Sequence, residues 1–193
     1  MPAIALLALT LVTFKEPRIF DGKTLDGWKV VGGGKWEVEK GVLIGSCTKT
    51  DEQGILVYKD PVKDFDASLK FRISEGNSGF YFRTELIDKQ PLVRGFQAEI
   101  DAIEDVAGIW ETDGRGWIVK PDATLHAKTK FKPGAWSDLK VQVRGDHYKI
   151  WLNGVVTADI VDPVARKEGA VALQLHGNVD MKVEFKDIRL AQR

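Results

Sequence analysis

Residues 139–160 read LKVQVRGDHYKIWLNGVVTADI, and they decide the fold class. Leu139 to Arg144 alternates apolar and polar residues, the period-two pattern of a strand with one buried face. Tyr148–Leu152 and Val155–Ile160 follow as two more strands around Asn153-Gly154. That dipeptide is the strongest two-residue hairpin signal, because both positions tolerate positive φ. Three strands in so short a stretch leave no room for a crossover helix, so the pairing is antiparallel.

The same rhythm extends in both directions. Phe65–Ile73 and Phe96–Asp101 alternate cleanly, and Ala170–Leu175 and Met181–Leu190 close the chain as strands. Trp36–Glu39 and Val42–Ile44 flank Lys40-Gly41 as a tight hairpin, and Ile55–Tyr58 is a short apolar run. Gly76-Asn77-Ser78-Gly79 reads as a turn leading into Phe80–Arg83. Helical periodicity is almost absent, with one turn expected around Val164–Lys167. Residues 102–135, rich in Gly and Pro and carrying Trp110 and Trp117, read as long loops of the kind that hold functional groups on a β scaffold. The expectation is all-β: one two-sheet antiparallel β-sandwich of jelly-roll type over residues 17–193.

Composition narrows the function. Among 193 residues, 28 Lys and Arg balance 28 Asp and Glu. Phosphate binding needs clustered surplus cations, so nucleic acid is not expected as a partner. Cys47 is the single cysteine, which rules out an intrachain disulfide. Pro2–Phe14 is nearly continuous apolar sequence but shorter than the ~20 residues of a membrane span. Residues 1–16 are read as a truncated signal peptide or an apolar arm, and no membrane span is expected. The chain contains no Gly-x-Ser-x-Gly elbow, His-Glu-x-x-His, P-loop or dinucleotide fingerprint. A three-histidine metal site would need His126 and His147 to converge on His176.

Period two also sorts side chains by face. Phe96, Ala98 and Ile100 point to the core, leaving Gln97, Glu99 and Asp101 on the other side. Val171, Leu173 and Leu175 do the same for Gln174 and His176, and Phe80 and Phe82 for Tyr81 and Arg83. If these strands share a sheet, its outer face gathers a cation, carboxylates, amides and an imidazole, with Trp110 and Trp117 nearby. Aromatic faces beside carboxylates and amides suit a sugar, whose C–H face stacks while its hydroxyls take hydrogen bonds. A solvated polar face is the simpler reading of any one of these residues. A non-catalytic, lectin-like carbohydrate-binding domain is the alternative reading of the whole set.

Five stretches in order resemble the 3-keto-disaccharide hydrolase domain family. They are Phe20–Trp28 (FDGKTLDGW), Asn77–Arg83 (NSGFYFR), Gly95–Asp101 (GFQAEID), Ile150–Val155 (IWLNGV), and Leu173–Gly177 (LQLHG) followed by Val183–Arg189 (VEFKDIR). The resemblance runs from about Ile19 to Leu190. It implies a concanavalin A-like jelly roll, a periplasmic or extracellular bacterial protein, and a carbohydrate substrate oxidised at C3. Where many members carry Glu-x-Gln, this chain has Gln97-Ala-Glu99, which shifts the carboxylate by two residues on the same face.

A C3 ketone acidifies the C2 proton, so such a glycoside can be cleaved by proton abstraction, elimination and water addition. The resemblance makes Glu99 or His176 the candidate base. Arg83 is the candidate stabiliser of the enolate oxygen, with a divalent metal as its rival in that role. Gln97, Asp101 and Gln174 are the expected hydroxyl ligands, and Trp110, Trp117 and Tyr81 the expected aromatic contacts.

Overall fold

The structure, a computed structural model, describes residues 16–103 and 105–193. The apolar segment read as a signal or arm lies, apart from Glu16, outside them. In chain order the elements are β1 (Trp28–Gly32), β2 (Lys35–Glu39), β3 (Val42–Cys47), β4 (Gly54–Tyr58), β5 (Phe65–Ile73), β6 (Asn77–Leu86) and β7 (Val93–Asp101). Then come β8 (Ile109–Thr112), β9 (Gly116–Val119), α1 (Ala123–Thr129), β10 (Ser137–Arg144), β11 (His147–Leu152), β12 (Val155–Val161), β13 (Ala170–Leu175) and β14 (Met181–Gln192). They form two seven-stranded antiparallel sheets, ordered β1-β4-β13-β6-β7-β8-β9 and β12-β11-β10-β5-β14-β3-β2. The all-β sandwich is therefore as expected, with both two-residue hairpins in place. Lys40 and Gly41 (φ 50° and 83°) and Asn153 and Gly154 (φ 50° and 82°) adopt the paired positive φ of a type I′ turn.

The two sheets enclose one core. Phe80, Phe82, Phe96, Leu173 and Leu175 of the first meet Leu69, Phe71, Val141, Ile150 and Phe185 of the second, all at most 2% exposed. Each such side chain contributes about 1.5–3 kcal/mol relative to exposure. Cys47 sits in the same core, its thiol donating to the carbonyls of His176 and Val179, and burial pushes its pKa up to about 11. It is a packed hydrophobe, not a nucleophile.

Three expectations change. Helix α1 falls at Ala123–Thr129, while 164–167 is only turn and bend. Its start signal is Asp122, whose carboxylate accepts from the Leu125 N–H at 2.7 Å as an N-cap. The stretch 102–135 is not one loop but also holds β8 and β9, each four residues long and too short to show an alternation. Asn77, Ser78 and Gly79 are not turn residues but the first paired positions of β6, opposite Asp101, Ile100 and Glu99.

Candidate functional site

Register across the first sheet lays its outer-face residues in rows. Tyr81 pairs with Ala172 on one side and Gln97 on the other, and Gln97 pairs with Trp110, which pairs with Trp117. Two residues along, Gly79 faces Glu99, with Gln174 on the β13 side. Two further, Asn77 pairs with Asp101, and its carbonyl accepts from the His176 N–H at 3.4 Å. Rows two residues apart are separated by about 6.6 Å. The face thus runs from an aromatic end, through Glu99, to Asn77 and His176.

Part of this face is closed off. Ile55, Val57, Tyr81, Val93 and Ala172 form a second buried apolar cluster beneath Leu92. Gln53 ties the neighbouring strand to the 87–92 connection by donating to the Pro91 carbonyl at 2.6 Å. The open remainder is a cleft of about 400 Å³, within the usual range for small-ligand sites. Gly79 lies against two of its lining amides. A Cβ there would lie 2.6 Å from Gln97 Oε1 and 3.3 Å from Gln174 Oε1, so only glycine leaves both amides their places.

Those amides carry unfinished business. Gln97 Nε2 donates to Glu99 Oε2 at 2.5 Å, and Asn77 Nδ2 donates to Glu99 Oε1. Flipping Gln97 would set its oxygen against a carboxylate oxygen, so its Oε1 is held away and has no partner; Gln174 Oε1 is likewise buried and unpartnered. Two orphaned acceptors in a cleft call for donors from a ligand, and hydroxyls supply them.

Glu99 is 4% exposed. Burial disfavours its charged form and outweighs the two amide donors, while Asp101 and Asp105 add repulsion, so its pKa rises to about 7. A carboxylate tuned this way exchanges a proton near neutral pH, as a general base must. His176 is exposed, and its Nδ1 lies 2.9 Å from the Gly177 carbonyl. A carbonyl only accepts, so Nδ1 carries the proton and Nε2 is the free basic nitrogen. Trp110 and Trp117 meet edge to face, centroids 5.3 Å apart, and Lys120 lies 5.2 Å over Trp117 while bridging to Asp105 at 3.1 Å. Tyr81 is buried, its hydroxyl 3.1 Å from Thr112 Oγ1.

The cleft brings together Glu99, His176, Gln97, Gln174, Trp110, Trp117 and Tyr81. Asp101 sits beyond it, accepting from the Ile103 N–H and lining an adjoining hollow.

Arg83 is a correction: it is fully buried and belongs to the far side of its sheet. The pairing of β6 with β7 slips between Phe82 and Glu85, and Arg83 takes φ 49°, so the alternation that would point it outward is broken. Its guanidinium donates to the Lys63 and Arg166 carbonyls and the Tyr148 hydroxyl, each at 2.9 Å, and to Asp64 at 3.1 Å. It clamps loops at the sandwich edge and cannot reach an enolate in the cleft.

Sequence reasoning passed over Asn77, Gln53, Thr112, Asp105 and Asp113, which also line the cleft. The usable signal for Asn77 was its period-two spacing from Gly79 and Tyr81. Among the described residues no three His, Cys, Asp or Glu side chains converge as metal ligands.

Domains described as 3-keto-alpha-glucoside-1,2-lyase-like match residues 16–191 of this chain. A 3-keto-disaccharide hydrolase of Bacteroides thetaiotaomicron is 33% identical over 82 residues, which take in 37% of this chain and 28% of that protein. The match thus spans under a third of the relative's length. In structure, the chain is similar to a Parabacteroides distasonis protein provisionally classed as a glycosyl hydrolase (TM-score 0.66, 21% identity, 90% and 92% of the two chains). It is also similar to the carbohydrate-binding module CBM66 of Bacillus subtilis (TM-score 0.68, 20% identity, 86% and 96% covered). At these identities the two structures speak to the fold alone. No described helix is long and apolar enough to cross a membrane.

Proposed function

The chain belongs to the 3-keto-alpha-glucoside-1,2-lyase-like domain family, and from that premise we propose that its cleft cleaves glycosides oxidised at C3. The observation that carries this is Glu99, a buried carboxylate with a pKa of about 7 on the floor of a cleft with an aromatic wall. A lectin needs no such base, whereas removal of a C2 proton calls for a base tuned near the working pH.

The steps follow from the row order. The sugar ring lies toward Trp110 and Trp117, with its C2–H over Glu99. Glu99 takes that proton, and the C–H electron pair forms the enolate with the C3 oxygen. Donors for that oxygen come from cleft side chains such as Gln174, since Arg83 is elsewhere. Collapse of the enolate expels the C1 oxygen substituent, which takes its proton from the water that then adds at C1, with the basic Nε2 of His176 placed to relay it. Addition of water at C1 and return of a proton to C2 give the 3-keto sugar and the free alcohol. Such a reaction fits a protein working outside the cytoplasm on glycosides already oxidised by another enzyme.

The test is to incubate the protein with 3-keto-trehalose or 3-keto-sucrose and with each unoxidised parent. Release of glucose or fructose from the keto sugars alone supports the proposal. Binding of either sugar without any release establishes the lectin-like reading in its place.

A further inference from the structure

The row order leaves one feature unused. Past Asn77 and His176, both of which it shares with the cleft, the face continues into a second hollow of about 500 Å³. Ala102, Ile103 and Val179 line it, and Ile103 is 70% exposed, the largest apolar exposure on this face of the site. Among the described residues no Lys or Arg lines it, while Glu75 and Asp101 do. The first cleft differs in kind, with amides and Glu99 beneath two tryptophans.

We infer that this second hollow is the leaving-group subsite, and that its chemistry selects a neutral, apolar or aromatic aglycone, such as a phenol, over a second sugar. This rests on the cleavage reading above. Continuity carries it: a substrate with its ring at the aromatic end and its C2 proton over Glu99 must send its C1 substituent past Asn77 and His176. The exposed Ile103 side chain and the Val179 and Ala102 surfaces offer contact to an apolar body and lose water on its arrival. The two carboxylates accept hydrogen bonds from aglycone hydroxyls and repel an anionic aglycone. A disaccharide's second ring would bring some of its hydroxyls over the Ala102, Ile103 and Val179 surface, where they find no partner.

The test compares kcat/KM for 3-keto-trehalose and for the 3-keto-α-glucoside of 4-methylphenol, in wild type and in Ile103→Asp. Ile103 is exposed, so the variant folds, which a thermal melt verifies. The aryl substrate should lose about tenfold, the scale of spoiling one apolar contact, and the disaccharide less than twofold. Judging each variant against wild type on the same substrate removes the intrinsic advantage of phenol as a leaving group. Equal losses on both substrates, or none on either, overturn the subsite. If wild type cleaves neither, the cleavage reading fails on its own. The subsite is then read by calorimetric binding of the unoxidised aryl glucoside, where the same affinity in wild type and Ile103→Asp overturns it.

Discussion

Replacing Glu99 by Gln should make the protein more stable at pH 8 and leave it little changed, or slightly weaker, at pH 4. The carboxyl titrates at about 7 in the folded protein against 4.5 for an unperturbed glutamate, with burial as the main cause. A pKa raised on folding means the native state binds the proton more tightly than the unfolded chain. The stability this confers is fully present below about 4.5 and is lost as pH rises through about 7. At 1.36 kcal/mol per pKa unit, the loss approaches roughly 3 kcal/mol once Glu99 is ionised. Glutamine does not ionise, so the variant escapes it. A smaller effect opposes the gain. Asn77 and Gln97 both donate to Glu99, and an amide can accept at only one end. Gln97 can answer by turning its unpartnered Oε1 toward the new NH₂ group, which limits the penalty to about 1 kcal/mol. Urea denaturation of both proteins from pH 4 to pH 8 gives the difference in unfolding free energy, in which all other titrations cancel. That difference should swing toward the variant by 2–3 kcal/mol, about what the linkage estimate allows, mostly between pH 4.5 and 7. Parallel curves would refute a buried, proton-hungry Glu99.

Other consequences follow from the same geometry. kcat/KM on a 3-keto-glycoside should rise with pH through an apparent pKa of about 7, since the base must be ionised; a flat profile down to pH 5 contradicts this. Arg83→Met should lower unfolding free energy by about 3 kcal/mol or more, because Asp64, the buried Tyr148 hydroxyl and two half-buried carbonyls lose their partner. A variant of unchanged melting temperature and lost activity would restore Arg83 to the catalytic site. Gly79→Ala, whose Cβ would meet Gln97 Oε1 at 2.6 Å, should weaken sugar binding at least tenfold by calorimetry while secondary structure by circular dichroism stays the same. Trp110→Ala should raise KM more than it lowers kcat, since stacking holds ground and transition states alike.

Much of this was legible in the residues, and for definable reasons. Period-two alternation placed Gln97, Glu99, Gln174 and Tyr81 on one face, because β7, β13 and the first half of β6 are regular strands with a buried side. It failed at Arg83, where the chain inserts a bulge at a non-glycine residue. The marks of that bulge are indirect: Gly95 and Gly169, where a Cβ would collide with the Arg83 and Thr84 backbone. It also failed at Asn77, because Gly76 and Gly79 look like a turn. Gly76 does end one at φ 84°, but Gly79 is a strand glycine kept bare by the two glutamines above it. The short strands β8 and β9 carry both cleft tryptophans, yet they owe their existence to pairing, β8 with β7 and β9 with β8, not to any local pattern. Glu99's elevated pKa lies beyond sequence altogether, since it depends on burial and on two neighbouring carboxylates.

The central claim, that Glu99 removes the C2 proton, is tested most directly by running the cleavage of a 3-keto-glycoside in D₂O. The 3-keto sugar released at the earliest times should carry solvent deuterium at C2, above that in substrate left without enzyme, and Glu99→Gln should slow its release by ~10²-fold or more. Product that keeps its original C2 hydrogen at those times, formed at the wild-type rate by Glu99→Gln, would mean direct displacement at C1 and would contradict the mechanism.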